Sequence, residues 1–441
     1  RTTAELKPDN TGSYLRPAYR WYVLALLTLV YTFNFIDRQL VVILQEQIRA
    51  DLSLMDWQLG LLSGFVFAIF YSVLGLPIAH LSENVGRKRV VATALAFWSL
   101  MTALSGAAQN YIHLLLLRIG VGIGEAGGSP PSHSMISDIF PRHRRAFALS
   151  IFSMGVYFGY LFAYGLGGWI AEGLGWRMTF VVLGLPGVVL ALIVALTIKE
   201  PPRGMAEFRE NGGSDEQRAQ VASARPTFRE TVRVLWSRRS FRHIAMAASL
   251  QSLAGYGVGN FVPSFMMRAY EMPISEVGWK LALITGFGGA FGVALSGWAS
   301  DRLARRGEYW YVLFPAIAMI VTLPLTVLAF SALAPGNMFV FYIPYMILGA
   351  TWLGPCLAVT HSLVGLRQRA VASAALFFIV NLVGLGLGPL IVGSLSDLLR
   401  PDFGDANGLR YSIISTALVA KVWAVVHFLQ ASRKISGDIQ N

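Results

Sequence analysis

The stretch Ala-His-Leu-Ser-Glu-Asn-Val-Gly-Arg-Lys at residues 79–88 has a counterpart, Gly-Trp-Ala-Ser-Asp-Arg-Leu-Ala-Arg-Arg, at residues 297–306. Each copy ends a long apolar run and opens a short basic connection. The acids Glu83 and Asp301 hold the same place in the two copies and lie 218 positions apart. A motif that recurs at this distance in a chain of 441 residues predicts two similar halves.

Two further landmarks recur at nearly the same distance. Arg145-Ala146 matches Arg369-Ala370 at an offset of 224, and Glu172 matches Asp397 at an offset of 225. Self-similarity at a constant offset indicates an internal duplication.

Apolar stretches fill both halves. The chain is 55% hydrophobic and only 14% charged, whereas soluble domains carry about 25% charged residues. A run of roughly 20 apolar residues crosses a hydrocarbon core of about 30 Å as a helix. The predicted spans are 18–46, 55–80, 88–108, 110–138, 144–173, 176–198, 240–270, 274–302, 309–333, 337–363, 367–398 and 408–431. We therefore expect an all-α membrane protein with twelve transmembrane helices in two pseudo-symmetric six-helix bundles.

The long polar segment after the sixth span divides the chain. The predicted organisation is an N-terminal segment 1–17, a first bundle 18–198, a linker 199–239, a second bundle 240–432 and a tail 433–441. Basic residues gather in the connections after the even-numbered spans, which predicts an integral protein of a bacterial inner membrane with both termini and the linker in the cytoplasm. The net charge of +12 therefore comes from basic residues in the connections between spans, and it does not indicate a nucleic-acid-binding protein.

These motifs resemble the major facilitator superfamily. The family signature after the second helix, G-x-L-A-D-R-x-G-R-K, is matched at Gly86, Arg87 and Lys88, but Glu83 and Asn84 replace its Asp and Arg. The family's R-x-x-x-G-x-G pattern is matched by the run that begins at Arg118. The resemblance implies two bundles that rock around a central cavity lined by the first and fourth helices.

Shorter runs resemble the spinster-type lysolipid and sphingosine-phosphate transporters. Asn34-Phe-Ile-Asp-Arg38 is similar to their N-Y-x-D-R run, and Lys199-Glu-Pro-Pro-Arg-Gly204 fits the same group. Organic-anion symporters of the superfamily share the Asp-Arg and Gly-Glu-Ala elements. The expected function is a proton-coupled carrier of a lysolipid-like anionic amphiphile, and a carrier of small organic anions such as sugar acids is the alternative.

Four charged residues lie deep in predicted spans. A charge in the bilayer centre costs about 2.5–3.5 kcal/mol on insertion scales, so it needs a partner or a wet cavity. Asp37 and Glu125 are the predicted proton-coupling acids. Arg38 and Arg118, with Asn34, are the predicted ligands of an anionic headgroup, because guanidinium groups bind anions through paired hydrogen bonds. The alternative is that these charges pair only to neutralise each other.

The second bundle offers aromatic and amide side chains in place of charges. The predicted apolar wall for a substrate tail consists of Tyr256, Asn260, Phe261, Tyr345, Trp352, Phe377, Phe378 and Asn381. Aromatic residues of membrane helices also pack against each other or face lipid, and that alternative stays open. At the cytoplasmic helix ends the predicted gating residues are Glu83, Arg87, Asp301, Arg302 and Arg145, with a purely topological role as the alternative.

One run has the form of an enzyme motif, but its position in the chain does not suit that function. Gly122-x-Gly124-x-x-Gly127 has the form of a dinucleotide-binding run, but it lies inside an apolar helix and follows no strand. The histidines show no metal-ligand spacing. We expect no enzymatic activity, no cofactor and no metal. The expected partners are the substrate, protons and membrane lipids, with the chain acting as a monomer; a membrane enzyme or receptor is a further alternative.

Overall fold

The computed structural model describes residues 14, 16–202, 228–365 and 368–440. These residues form twelve helical rods, α1 to α12, together with a linker helix Phe228–Ser237 and a C-terminal helix Ile435–Gln440. The rods end within six residues of the predicted spans. Their bounds are Pro17–Leu52 (α1); Asp56–Gly60, Leu61–Phe65 and Val66–Val85 (α2); Arg87–Ser105 (α3); Tyr111–Glu125 and Ser129–Ile139 (α4); Arg142–Ser153, Gly155–Tyr160, Leu161–Leu166 and the first part of Gly167–Thr197 (α5); the rest of that stretch (α6); Arg239–Tyr270 (α7); Ile274–Leu283, Ile284–Gly288 and Gly289–Ala304 (α8); Trp310–Phe330 (α9); Pro335–Gly349 and Leu353–Ser362 (α10); Arg369–Val380, Asn381–Leu387 and the first part of Gly388–Ser432 (α11); and the rest of that stretch (α12).

Seven stretches of the described chain are long and apolar enough to cross a membrane, judged by length and composition. Two of them, His143–Thr197 and Val371–Ser432, have 55 and 62 residues. At 1.5 Å per residue each is long enough for two crossings. Each also contains a break with a positive φ, 76° at Gly175 and 78° at Gly404, which separates α5 from α6 and α11 from α12. Glycine adopts this backbone conformation at little steric cost.

The breaks repeat between the halves. Besides Gly175 and Gly404, α4 is interrupted between Glu125 and Ser129, and α10 is interrupted between Gly349 and Leu353. The duplication predicted from charged landmarks therefore extends to the irregularities of the backbone.

Four of the helices at the boundary between the halves each contain one π-helical segment. These segments lie at 61–65 in α2, 161–166 in α5, 284–288 in α8 and 381–387 in α11. α2 packs against α11, and α5 packs against α8. A Cβ on Gly60 would collide with the carbonyl of Pro389, and one on Gly278 would collide with that of Tyr164. Glycine thus lets these backbones touch, as small residues do in membrane helix pairs.

Among the described residues, the halves pack together mainly towards one end. We call the end with the connections 53–55, 271–273 and 331–334 the far end, and the end with the linker helix and the C-terminal helix the linker end. A core cluster that includes Leu40 and Val41 of α1 and Phe265 of α7 joins both halves towards the far end. Towards the linker end the larger clusters belong mainly to one half each.

A buried amine lies inside the second half. Lys421 of α12 is fully buried, and its Nζ donates to Thr322 Oγ1 at 3.0 Å and lies 3.9 Å from the ring centroid of Tyr345. The Thr322 hydroxyl donates to the carbonyl of Met319, so its oxygen is free to accept from the lysine. No described carboxylate pairs with this amine, and it does not reach the surface.

Lys421→Met is expected to change the free energy of unfolding by less than about 1.5 kcal/mol, because methionine keeps most of the volume and removes a polar group held by one hydroxyl. Lys421→Ala is the matched variant and should destabilise the fold by about 2–4 kcal/mol through the cavity it leaves. Thermal unfolding in detergent measures both. A methionine variant as unstable as the alanine variant would show that the amine itself is required.

Candidate functional site

The deep charges of the first half converge on one pocket between α1 and α4. Arg38 Nε lies 2.6 Å from Glu125 Oε2. The Glu125 side chain is fully buried, and that of Arg38 is 12% exposed. Asn34, one turn before Arg38 on α1, is buried and faces the Glu125 carboxyl. Arg38 is therefore the member of this ion pair whose side chain a solute can reach.

Aromatic rings surround the Arg38 guanidinium. Its Cζ lies 5.1 Å from the ring centroid of Phe35, 4.7 Å from that of Phe67 and 4.5 Å from that of Tyr71. Such cation–π contacts are worth about 2 kcal/mol or more when desolvated. The rings hold the guanidinium in place while leaving its ion-pairing groups available.

Asp37 is not neutralised by a direct ion pair. Its carboxyl is fully buried, and neither oxygen accepts a hydrogen bond from any described residue. Arg118 Nη1 donates instead to the backbone carbonyl of Asp37 at 3.0 Å, and Arg118 Nε and Nη2 have no described partner. The Trp98 and Thr102 side chains face the carboxyl. A buried acid without hydrogen-bonding partners is unusual in a folded protein and calls for an explanation.

The predicted aromatic wall is only partly next to this pocket. Tyr256 of α7 faces Arg38 from the second half. Asn260 lies one turn further and donates to the Tyr256 carbonyl at 2.8 Å. Phe377 and Phe378 are exposed, at 37% and 38%, and Asn381 is half-buried.

Three members of that wall are packed in this conformation. Phe261 is fully buried in the cluster shared by the two halves. Tyr345 stacks on Tyr342 and lies against Lys421, and Trp352 packs on the core of the second half. Their packing leaves little surface for a substrate in this state, and their contact with substrate stays a prediction.

The far end carries a charge network that the sequence alone does not predict. Arg268 of α7 donates to both oxygens of Glu46, at 2.6 and 3.0 Å, and to both oxygens of Asp56, at 2.7 and 2.8 Å. Arg49 donates to Asp405 at 2.7 and 3.0 Å. Glu46, Arg49 and Asp56 belong to the first half and their partners to the second. The network therefore holds the halves together at this end.

A helix terminus strengthens the same contact. Asp397 of α11 accepts from the backbone N–H groups of Asp56 at 3.1 Å and Trp57 at 2.8 Å, which are the first two residues of α2. Ser396 Oγ donates to Asp56 Oδ2 at 2.7 Å. An acid at a helix N-terminus satisfies free N–H groups and complements the helix dipole. Here the acid comes from the other half.

Arg87, a predicted gating residue, has its described partners in its own half and in the linker. Its guanidinium bonds Asp138, Ser134 at 2.9 Å, Glu200 at 3.0 Å and the carbonyl of Pro201 at 2.6 Å. Glu200 also accepts from the backbone N–H of Lys88 at 2.8 Å. The first two residues of the Glu-Pro-Pro-Arg-Gly run therefore bind the first turn of α3, and we call this contact the clamp.

The other predicted gating residues form no described ion pair between the halves. Asp301 accepts from the Tyr311 hydroxyl at 3.2 Å, and Arg302 is exposed. Arg145 is half-buried and has a polar contact of its own. The Glu83 side chain lies outside the described part. Gating by these residues stays a prediction for another conformation.

Arg87→Ala is expected to lower the free energy of unfolding by about 2–4 kcal/mol, because it strips several charged hydrogen bonds from a buried guanidinium. Arg302→Ala, an exposed arginine at the same end, should change it by no more than about 0.5 kcal/mol. Thermal unfolding in detergent compares the two. Equal losses would mean that the clamp is not a stabilising element.

Comparisons with known proteins agree with this architecture. Two helical bundles with buried charges between them define a solute transporter of the membrane. Residues 27–389 match the family model of the Major Facilitator Superfamily. The chain belongs to that superfamily, which confirms the predicted family and fold.

The relatives are transporters and efflux pumps rather than enzymes, as predicted. An MFS-type efflux pump of Mycolicibacterium smegmatis is 33% identical, covering 95% of this chain and 94% of the relative. A probable galactarate/D-glucarate transporter of Bacillus subtilis is 28% identical over 66% of this chain and 67% of its own length. A sphingosine-1-phosphate transporter of Mus musculus is 26% identical over 91% and 74%.

A solved structure is also similar. It is a bacterial homologue of the human lysosomal transporter spinster in an inward-facing, unoccupied conformation. The TM-score is 0.86 at 31% identity, covering 96% of this chain and 99% of that one. The resemblance to spinster-type proteins inferred from the sequence is thereby confirmed.

Proposed function

We propose that this member of the superfamily is a proton-coupled transporter of an anionic amphiphile, such as a lysolipid or a sphingoid phosphate, that works by alternating access. The observation that carries the proposal is the buried, unpartnered carboxyl of Asp37 beside the Arg38–Glu125 ion pair. An acid that is dehydrated in one state and hydrated in another changes its proton affinity between the two. That change is what coupling to protons requires.

The ion pair suggests how substrate and proton are linked. An anionic headgroup that binds Arg38 competes with Glu125 for the same guanidinium. Glu125 is fully buried, so without its partner it takes up a proton rather than remain charged. Headgroup binding and protonation then favour each other. Arg118, with two guanidinium nitrogens that lack described partners, supplies a second anion contact.

The second half supplies the surface for the tail. Tyr256 faces the charged pocket, and Phe377 and Phe378 expose their rings. The mouse relative that carries sphingosine-1-phosphate supports an amphiphile as substrate. The Bacillus subtilis relative supports the alternative, a small organic anion such as a sugar acid, because the same two arginines would bind its carboxylates.

We infer further that the chain acts as a monomer in a bacterial inner membrane with the linker end in the cytoplasm. The positive charge of the connections at that end supports this orientation. The contacts between the halves at the far end then correspond to an inward-facing state, the state of the similar spinster homologue.

A transport assay tests the proposal. Purified protein in liposomes is given labelled lysolipid or labelled glucarate, with and without an imposed pH gradient. We expect gradient-dependent lysolipid movement and thermal stabilisation by lysolipids but not by sugar acids. The reverse pattern would establish the organic-anion alternative, and transport that ignores the gradient would refute proton coupling.

A further inference from the structure

The linker helix has two different faces. Thr231 and Leu235 are fully buried, and Leu235 packs into the core of the second half together with Phe241 and Leu376. Arg229, Arg233 and Trp236 follow the spacing i, i+4, i+7 on the outer face, and all three are exposed. An amphipathic helix with arginines and a tryptophan on its outer face is typical of segments that lie on a membrane surface.

The positive charge continues into the next helix. Arg239 and Arg242, in the first turn of α7, are also exposed. None of the four arginines 229, 233, 239 and 242 forms a hydrogen bond or ion pair with a residue in the described ranges. The only acid between residues 228 and 242 is Glu230, which has a polar contact of its own.

The position of these arginines along the helices places them next to the lipid headgroups. Met246, the first large apolar side chain of α7 that is strongly exposed, lies seven residues after Arg239, or about 10 Å along the helix. Trp236 is 52% exposed just before the helix starts. Tryptophan concentrates at the boundary between headgroups and acyl chains. The arginines therefore lie at headgroup level.

We propose that the outer face of the linker helix, with the first turn of α7, is a binding surface for the headgroups of anionic phospholipids. The arginines contact the phosphates, and Trp236 enters the interfacial layer. The linker helix packs on the first segment of α11, one of the helices that contact the other half. Anionic lipid thus holds a segment that is coupled to the rocking bundle.

Native mass spectrometry of the full chain, titrated with phosphatidylglycerol or phosphatidylcholine, tests this. Each arginine near an anionic surface contributes about fivefold to binding. Arg229→Gln/Arg233→Gln should therefore weaken phosphatidylglycerol binding by about 25-fold and leave phosphatidylcholine binding unchanged. The matched control is Arg305→Gln/Arg306→Gln, two exposed arginines in the turn between α8 and α9. They lie next to Glu308 and belong to no amphipathic helix that would hold them at headgroup level, so this variant should change phosphatidylglycerol binding by less than about twofold.

Other outcomes would overturn the inference. The inference is wrong if the Arg229/Arg233 variant binds phosphatidylglycerol as tightly as wild type. It is also wrong if the Arg305/Arg306 control loses as much phosphatidylglycerol affinity as that variant. Competition by millimolar glycerol phosphate would show a simple anion site instead of a lipid surface. If the first variant unfolds in detergent, Arg239→Gln/Arg242→Gln provides the same test. Since no transport is measured, failure here leaves the proposed function unaffected.

Discussion

Asp37→Asn is expected to abolish the pH-driven accumulation of substrate while leaving the protein folded. A substrate that moves with one proton can accumulate about tenfold for each unit of pH difference, because one unit corresponds to about 1.4 kcal/mol. Asparagine keeps the size of the side chain but cannot release a proton. With a gradient of one pH unit, the ratio of internal to external substrate should therefore fall from about ten to about one. Labelled substrate in liposomes with an imposed gradient measures the ratio.

The matched control is Asp51→Asn. Asp51 lies on the same helix, is 42% exposed and pairs with Arg177 at the far end. Its loss should leave accumulation unchanged, since an exposed ion pair contributes about 0–1 kcal/mol. If Asp37→Asn still accumulates substrate against the gradient as wild type does, Asp37 has no part in coupling. Protein that binds substrate but equilibrates it without accumulation is the result we expect.

Arg268→Ala is expected to open the far end. Arg268 makes four hydrogen bonds to Glu46 and Asp56, and the Asp56 side chain is fully buried. Removing one partner of a buried pair costs about 3–5 kcal/mol, and we expect the lower end of that range because Arg49 and Arg400 remain 3.4 and 3.1 Å from the Asp56 carboxylate. A shift of about 3 kcal/mol changes the ratio of closed to open states by about 100-fold. The conformation described here should become the minor one.

Distances between spin labels at the far end measure that shift. Met55 of the first half and Leu333 of the second are both exposed and accept labels once Cys356 is replaced. We expect the main distance to lengthen in Arg268→Ala and to stay as in wild type in Arg177→Ala. Arg177 lies at the same end, but its partner Asp51 belongs to the same half. An unchanged distance in Arg268→Ala would show that apolar packing alone closes this end.

The sequence predicted the fold and the charged pocket because both rest on strong local signals. Long apolar runs specify membrane helices almost without regard to context. The cost of a charge in hydrocarbon singles out Asp37, Arg38, Arg118 and Glu125. The helical spacing of Arg118 and Glu125 places both on one face of α4. These inferences needed no knowledge of how the halves dock.

What the sequence could not predict depends on that docking. Arg268, Glu46 and Asp56 each lie near the end of a span, where charges are common and carry no special signal. Their meeting becomes visible only when α1, α2 and α7 are placed together. Phe261 and Phe377 likewise look alike in sequence, yet one is buried between the halves and the other is exposed. Lys421 is a similar case, because only the fold supplies Thr322 as its acceptor.

The salt bridge between Arg38 and Glu125 has a consequence for energetics. If an anion with one negative charge displaces Glu125 and the pair of acids Asp37 and Glu125 together gains one proton, the pocket carries the same total charge before and after loading. Moving one elementary charge across 100 mV is worth about 2.3 kcal/mol, but an unchanged total leaves nothing for the voltage to act on. Such a carrier would be electrically silent and would respond to acidity alone, even in a strongly polarised cell.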